Sequence, residues 1–338
     1  MPSDLGMDEI RRIAEGLVGG PVESVTPAAG GGNNRVFRLD HDGRSFALKF
    51  YPHQEDDPRD RLGTEWRALV FMTGEGIEAV PRPLARDVDR YCALYEWVEG
   101  VHVVEALKAD VIALADFLEE LQSLGKSNGA LEIGSASAAC FSVGDTVDQL
   151  HTRLERAREV AADFPELEMF LMDDLAPAVR EITDLARSRL AVTGISETPG
   201  CRVLSPSDFG LHNTLKRPDG RLVFLDFEYF GWDSLEKTVA DVMLHPGMEV
   251  PQNLGRLFFE RIKRRLAAAD QAFEERFRAL YPLYALIWCL IMLNEFIPER
   301  WKRRNLGHRR NDRVAVHAQQ LALVRKRLGN LKKIHETF

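Results

Sequence analysis

The sequence predicts an α+β protein with a β-rich N-lobe and a mainly helical C-lobe. Short β-type segments, bounded by glycine and other turn residues, are concentrated in the first third of the 338 residues. Long segments with the helical spacing of apolar residues follow, and they contain a single β-hairpin pattern. A chain of this length can bury two such cores, and 45% hydrophobic with 28% charged residues is typical of a globular protein.

The N-lobe is expected to span residues 1–98 and to hold an antiparallel sheet. Helices are predicted at 7–18 and about 60–74, and strands at 22–28, 35–40, 44–51, 80–85 and 91–98. Asp42-Gly43 is a favoured two-residue hairpin turn, so residues should pair when their numbers sum to 85. Lys49 then faces Val36, and Ala47 shares the face of Lys49. That face offers small apolar groups for a flat base beside one ammonium for phosphate.

The C-lobe is expected to span residues 99–338, after a connector at 95–100. Its predicted helices lie at 104–125, 145–164, 166–190, 254–294 and 313–333. An apolar run at 284–293 is about half the length of a membrane span, so it predicts a buried helix.

Three oxygen-bearing side chains surround the hairpin of this lobe. Asp219-Gly220 predicts a two-residue turn, about which residues pair when their numbers sum to 439. Asn213 then lies opposite Asp226 at the open end of the hairpin, and Asp208 stands just upstream. Carboxylate and amide oxygens suit Mg²⁺, which usually takes few protein ligands and completes its shell with water and phosphate. The hairpin therefore predicts a magnesium site.

A glycine-rich run, GGGNN at 30–34, lies between two predicted strands. Dinucleotide-binding and Walker loops both lead into a helix, so neither is indicated here. The run could still cover phosphates through its backbone N–H groups, or it could be a flexible surface hairpin. Glu65, inside the predicted helix, could pair with Lys49; the alternative is an ordinary strand lysine and a solvated helix glutamate.

The order of these features resembles the protein-kinase-like fold: glycine loop, Ala47-Leu48-Lys49, a helix glutamate, a connector, Asp-x4-Asn and a later Asp. The strings SDFGLHN and LDFEYFGWD resemble the aminoglycoside phosphotransferase and choline kinase family of small-molecule kinases. The resemblance covers about residues 20–300. It implies ATP- and Mg²⁺-dependent transfer of the γ-phosphate to a hydroxyl of a small molecule.

The resemblance also implies a role for each matched position. Asp208 would orient the acceptor hydroxyl and take its proton, while Asn213 and Asp226 would ligate the metal. Lys49 would hold the α- and β-phosphates, and Glu65 would steady it. The other expected nucleotide contacts are Gly31, Gly32, Asn33 and Asn34 over the phosphates, Val36 and Ala47 on the base, and the Glu96 carbonyl and Val98 amide.

Two stretches depart from the family's pattern. The loop that usually begins His-Gly-Asp reads Pro206-Ser207-Asp208, without the histidine that supports the loop from behind. The segment after Asp226 also lacks the usual Gly-Asp-Pro, and Asp241 is expected to be structural. His212 could serve as a base, although a packing role within the loop is favoured because Asp208 already fills the base position.

The acceptor is the least determined part of the prediction. Arginine, lysine and histidine residues crowd 300–313, which indicates either a site for an anionic acceptor or a solvated basic surface. Asp233, Glu236 and Glu295 could instead form acidic walls for a cationic aminoglycoside. Two other functions stay open, a pseudokinase and a nucleotidyl transferase. The presence of Lys49, Asp208, Asn213 and Asp226 together favours catalysis over a pseudokinase, whereas the mass of the product would separate a kinase from a nucleotidyl transferase.

Composition limits the partners. A formal net charge of −8 disfavours nucleic acid as the main partner. The four cysteines have no zinc-binding spacing and are expected to be buried thiols of a reducing cytoplasm. The N-terminus lacks the build of a signal peptide. We therefore expect a cytoplasmic protein with no membrane association; the sequence does not predict its oligomeric state.

Overall fold

The computed structural model describes residues 5–28, 34–52, 59–198, 200–248, 250–304 and 312–334. Within these ranges an antiparallel sheet is followed by a mainly helical region, which confirms the predicted α+β class. Helix α1 (Met7–Val18) starts the chain as predicted and ends at Gly19, whose φ of 79° is the left-handed conformation that glycine tolerates best. The boundary between the lobes after Val98 stays a prediction.

The N-lobe sheet has five strands in the order β1-β2-β3-β5-β4, and every neighbouring pair is antiparallel. The strands are β1 (Ser24–Pro27), β2 (Arg35–His41), β3 (Arg44–Phe50), β4 (Pro83–Asp87) and β5 (Cys92–Glu96). Asp42 and Gly43 both have positive φ, 51° and 68°, as a two-residue hairpin turn requires. Val36 pairs with Lys49, so the predicted register is confirmed.

The alternation of β3 sends its side chains to two different surroundings. Phe46, Leu48 and Phe50 join the small core that α1 shares with the sheet. Ala47 and Lys49 point to the opposite face, towards helix α2 (Arg61–Gly74) and the C-lobe. Burying each large apolar side chain stabilises the lobe by about 1.5–3 kcal/mol, so this alternation fixes which face carries Lys49.

The C-lobe is built from helices. They are α3 (Lys108–Ser123), α4 (Asn128–Leu131), α5 (Val143–Ala161), α6 (Pro165–Phe170), α7 (Ala176–Thr193), α8 (Leu235–Leu244), α9 (Gln252–Arg265), α10 (Phe273–Met292), α11 (Pro298–Arg304) and α12 (Arg313–Ile334). The single helix predicted over 254–294 is wrong, because α9 and α10 are separate. Between them Asp270 accepts from the backbone N–H of Ala272 and pairs with Arg276, which favours a turn over a continuous helix.

Helix α10 forms the centre of this lobe. It packs against α5, α7, α8 and α12, and all but four of its residues are buried. The segment Phe273–Phe296 is the one helix of the described ranges long and apolar enough to cross a membrane, yet 89% of its most apolar window is buried inside the protein. The apolar run predicted to be a buried helix is therefore confirmed.

Five short strands position the loops of the C-lobe. They are β6 (Val101–His102), β7 (Arg202–Ser205), β8 (Thr214–Lys216), β9 (Leu222–Phe224) and β10 (Gly231–Ser234). Strand β7 pairs with β10, and β8 pairs with both β6 and β9. The predicted register of the last hairpin is wrong by one residue, since Thr214 pairs with Phe224 and the paired numbers sum to 438. The loop has three residues rather than two: Pro218 favours the first turn position and Gly220, at φ 85°, closes it.

Candidate active site

Asp208 is presented by a tight turn directly after β7. The N–H of Asp208 donates to the carbonyl of Pro206 at 3.0 Å, which makes a γ-turn centred on Ser207. Ser207 has a φ of 69°, and such backbone strain costs on the order of 1–3 kcal/mol unless the surroundings enforce it. The side chain of Ser205 accepts from the Ser207 N–H at 3.1 Å, and the Ser207 hydroxyl donates to the carbonyl of Ser137. These bonds hold the loop that lacks the expected histidine.

Two histidines bond to the carboxylate of Asp208. The Nε2 atoms of His212 and His245 each lie 3.1 Å from Asp208 Oδ1. Burial alone would raise the pKa of Asp208, but these hydrogen bonds outweigh it and hold the pKa well below its usual range. Asp208 is therefore ionised at neutral pH. For His212 a packing role within the loop was favoured over that of a base, and His245 was not expected to take part.

Asn213 and Asp226 flank the β8–β9 hairpin, as predicted, although they are not directly paired. The Asn213 amide nitrogen donates to the backbone carbonyl of Asp208 at 2.9 Å, which leaves the amide oxygen available as a ligand. The carbonyl of Asn213 accepts from the N–H of Leu225. Asp226 follows β9 with a φ of 67°, so the backbone leaves the strand direction and the carboxylate meets Lys49 instead.

Lys49 joins the two lobes. Its ammonium lies 2.6 Å from Glu65 Oε2, the pair predicted from sequence, and 2.7 Å from Asp226 Oδ1. Burial alone would lower the pKa of Lys49, but the charges of Asp226 and Glu65 raise it well above its usual value. The hydroxyl of Tyr51 donates to Glu65 and lies 2.6 Å from that of Tyr95. Neither tyrosine was predicted to take part.

Glu228 is a buried carboxylate that the sequence prediction did not assign. Its Oε1 pairs with the guanidinium of Arg61, and its Oε2 accepts from the Asn34 side chain at 3.2 Å. Arg61 also donates to the hydroxyl of Tyr229 at 2.6 Å. Arg61 and Asn34 come from the N-lobe, so a second polar connection crosses the cleft. The Asp-x-Glu spacing from Asp226 was the signal that could have found Glu228.

These side chains form one charged cluster in the cleft. Carboxylate oxygens of Glu65, Asp226 and Glu228 lie within 4.8 Å of one another. Lys49 and Arg61 are the cations paired with them, so two positive charges face three negative ones. Burial and the nearby carboxylates raise the pKa of Asp226 to about 7, despite Lys49. An excess of carboxylate oxygen in a buried cleft is a donor set that fits a hard divalent cation.

Some of the other predicted nucleotide contacts lie in the sheet and the connector, and some lie outside the described ranges. Ala47 is half-buried beside Lys49, and Val98 is buried in the connector. The N–H of Glu96 donates to the carbonyl of Arg82, which keeps this residue in the sheet. Asn34 reaches the cleft but bonds to Glu228. Gly31, Gly32 and Asn33 lie outside the described residues.

The predicted acidic walls are not free to bind an acceptor. Asp233 pairs with Lys237 and also accepts from the N–H of Cys140, and Glu236 pairs with Arg276. Asp241 accepts from Lys237, and from the Trp288 indole at 2.9 Å, as a structural residue would. Glu295 is 2% exposed, too buried to form a wall. Most of the predicted cationic cluster, from residue 302 to 311, lies outside the side chains that the structure describes.

Comparison with known proteins gives a consistent picture. The model of the phosphotransferase enzyme family matches residues 24–281. No curated protein matches the sequence. Among solved structures, the choline kinase LicA of Streptococcus pneumoniae superposes with a TM-score of 0.60 at 15% identity, covering 95% of this chain and 98% of LicA.

Two further structures share the fold. A spectinomycin phosphotransferase solved with ADP and spectinomycin gives a TM-score of 0.58 at 11% identity, over 94% of this chain and 99% of its own. Plasmodium vivax ethanolamine kinase gives a TM-score of 0.54 at 13% identity, over 89% of this chain and 81% of the kinase. Identities this low establish the shared fold and no more.

Proposed function

We propose, from the premise that this chain belongs to the phosphotransferase enzyme family, that it transfers the γ-phosphate of ATP to a hydroxyl group with the help of Mg²⁺. The chain is a small-molecule kinase by family; the donor, the metal and the residue roles are our proposal. The observation that carries it is the bridge of Lys49 between Glu65 and Asp226, formed across the cleft between the two lobes.

Lys49 is the proposed phosphate ligand. Its ammonium is buried, positively charged and fixed in place by Glu65. Binding of Mg·ATP would replace the Lys49–Asp226 contact, because Lys49 turns to phosphate oxygens while Asp226 turns to the metal. Val36, Ala47 and the connector residues Glu96 and Val98 are proposed to enclose the base. Gly31, Gly32, Asn33 and Asn34 are proposed to cover the phosphates.

Asn213 and Asp226 are the proposed metal ligands. Mg²⁺ would neutralise charge on the phosphates, and the excess of carboxylates around Asp226 makes the cleft favourable for it. Glu228 contributes to that field, although Arg61 and Asn34 already occupy its oxygens.

Asp208 is the proposed catalytic residue. Its carboxylate is ionised, and Oδ1 is occupied by two ring N–H donors, so Oδ2 is the oxygen proposed to accept the hydrogen bond of the acceptor hydroxyl. The hydroxyl is thereby oriented towards the γ-phosphate. Its proton passes to the carboxylate as the bond from the acceptor oxygen to the γ-phosphorus forms and the bond from that phosphorus to the β,γ-bridging oxygen breaks, which releases ADP. Positioning and charge neutralisation supply most of the acceleration in such transfers.

We propose a small acceptor that carries an anionic group. The supporting observation is Arg153 on α5, which has a single weak hydrogen bond, 3.5 Å to Gln149, and no carboxylate within ion-pair distance among the described residues. Its Nε is buried without a partner, and burial lowers the pKa of its guanidinium. Gln149 also donates to the carbonyl of Ala138, next to the Ser137 carbonyl that accepts from Ser207, so hydrogen bonds connect Arg153 to the loop of Asp208. Arg153→Met should raise the KM for the acceptor and leave the KM for ATP unchanged.

Two alternatives are tested by product analysis. A pseudokinase would bind Mg·ATP without turnover, and a nucleotidyl transferase would add AMP instead of phosphate to the acceptor. Mass spectrometry of pooled sugars, amino alcohols, nucleosides and aminoglycosides, incubated with the protein and Mg·ATP, distinguishes the three. The proposed compartment is the cytoplasm, where the four cysteines, all free, would stay reduced.

Two variants test the assignment of residues. Asp208→Asn should abolish transfer while Mg·ATP still raises the melting temperature. Asp226→Ala should instead remove the metal-dependent part of that stabilisation. Wild-type turnover in the first variant, or an unchanged thermal shift in the second, would contradict the proposal. Arg67→Met, an exposed change on α2, is the matched control.

A further inference from the structure

His212 and His245 form a stacked pair against the carboxylate of Asp208. Their rings are 3.7 Å apart and inclined by 7°, so both Nε2 atoms reach the same oxygen, Oδ1. His212 lies in the 3₁₀ turn that follows Asp208, and His245 lies at the end of α8. Two distant parts of the chain therefore converge on a single oxygen atom.

The surroundings hold this pair in place. The ring of Trp288, from α10, meets His245 edge-on at 4.7 Å. Two glycines make room for the rings: a Cβ on Gly247 would lie 3.0 Å from the His245 ring, and one on Gly210 would lie 2.2 Å from the Met248 side chain and 3.0 Å from His212 Nδ1. The histidines are thus packed from several sides, and neither ring is free to rotate away from Asp208.

The proton on His245 is assigned by a backbone contact. The N–H of Gly247 donates to His245 Nδ1 at 3.0 Å, so Nδ1 carries a lone pair and Nε2 carries the proton. Burial lowers the pKa of His245, in keeping with a neutral ring. A protonated Nε2 donates to Asp208 and cannot ligate a metal ion, which argues against a metal site formed by Asp208 and the two rings. His212 Nδ1 is buried without a partner, so its donor also faces Asp208.

We propose that His212 and His245 are positioning residues for phosphoryl transfer, which together take the place of the loop histidine absent at Pro206. By occupying Oδ1 they fix the carboxylate plane of Asp208 and leave Oδ2 for the acceptor hydroxyl. The inference rests on the proposed role of Asp208. Loss of one donor frees the carboxylate to rotate, and a misplacement of about 1 Å in such a group can lower a rate about 10²-fold.

The test compares two substitutions of His245 that both remove the ring but differ in whether a hydrogen-bond donor to Asp208 is kept. His245→Leu removes the donor, whereas His245→Gln keeps an N–H near the original Nε2. We measure ADP release from Mg·ATP with water as the phosphoryl acceptor. His245→Leu should lower kcat about 10–100-fold with KM for ATP within about twofold, and His245→Gln should recover most of the rate. The same pair of changes at His212 should behave alike.

His317→Leu is the matched control, because His317 is also buried and hydrogen-bonded, to the carbonyl of Glu295. His317→Leu should leave kcat unchanged when each protein is assayed at the same interval below its own melting temperature. Equal losses of kcat in the Leu and Gln variants, or a lower melting temperature with unchanged kcat, would overturn the positioning role. If Asp208→Asn retains wild-type turnover, the proposed function fails instead, so the two failures are distinguishable.

A second measurement does not depend on turnover. In ¹⁵N-histidine NMR, both rings should show a protonated Nε2 whose proton exchanges slowly with water, and Asp208→Ala should abolish that protection. Fast exchange of both ring protons in the wild-type protein would overturn the inference, even if no activity is detected.

Discussion

The buried ion pair between Arg61 and Glu228 gives the sharpest quantitative test of the cleft. Both side chains are 1% exposed, and they connect the start of α2 to the segment after β9. Arg61→Met removes the cation and leaves Glu228 buried, with the Asn34 amide as its remaining donor. Glu228→Leu removes the buried carboxylate that pairs with Arg61 and keeps the bond of Arg61 to the hydroxyl of Tyr229.

The expected magnitude follows from this burial. Removing one partner of a buried pair costs about 3–5 kcal/mol, whereas replacing both partners with apolar side chains is often close to neutral. Each single variant should therefore lose about 3–5 kcal/mol of unfolding free energy, and the double variant should lose less than either. Because the double variant loses less than either single variant, the coupling energy of the double-mutant cycle should exceed about 3 kcal/mol.

Urea unfolding, followed by fluorescence, measures all four proteins of this cycle. Arg67→Met on the same helix is the control, since the Arg67–Asp60 pair is more than half exposed and should contribute at most about 1 kcal/mol. The reasoning is refuted if the two single variants' losses of unfolding free energy sum to that of the double variant within about 0.5 kcal/mol. Arg61 and Glu228 would then act independently.

Three further predictions concern the metal site, the backbone and the thiols. Because the pKa of Asp226 is raised to about 7, its proton must leave before it can ligate a cation; Mn²⁺ affinity without nucleotide should fall about tenfold from pH 8 to pH 6, and a flat titration would contradict this. Gly231→Ala places a Cβ 2.4 Å from the backbone nitrogen of Ala136 and should cost about 3 kcal/mol in urea unfolding, whereas Gly16→Ala, with open space around it, should not destabilise. Burial raises the thiol pKa of Cys92, Cys140 and Cys289 to about 12, whereas Cys201 is only half-buried. A thiol reagent at pH 8 should therefore label Cys201 alone in the folded protein, and rapid labelling of a second thiol would contradict this prediction.

Sequence patterns predicted the parts of this protein that depend on near neighbours. The Asp42-Gly43 turn set the register of Val36 and Lys49 because the turn type and strand alternation act within a few residues. The second hairpin was predicted one residue out of register, because Pro218 contributed a third loop residue. The Lys49–Glu65 pair could be predicted because strand, loop and helix follow one another directly.

Contacts between distant segments could not be predicted in this way. His245 bonds to Asp208 only because α8 ends beside the loop, and no local pattern in the sequence specifies where a helix end will lie. Glu228 is conspicuous in the sequence, two residues after Asp226, yet its buried state depends on Arg61, 167 residues away. The acidic walls predicted at Asp233 and Glu236 failed for the same reason, since Glu236 pairs with Arg276 of α10 and Asp233 accepts from the N–H of Cys140, 93 residues away.

The position of α10 in the chain has a consequence for how the enzyme is made. Translation delivers Asp208, Asn213 and Asp226 well before the ribosome has completed α10, the helix on which the C-lobe is packed. Until then, α5, α7 and α8 lack the helix against which all three pack, and the Trp288 ring that contacts His245 does not yet exist. The loop that carries Asp208 therefore stays incompletely packed until α10 has been synthesised.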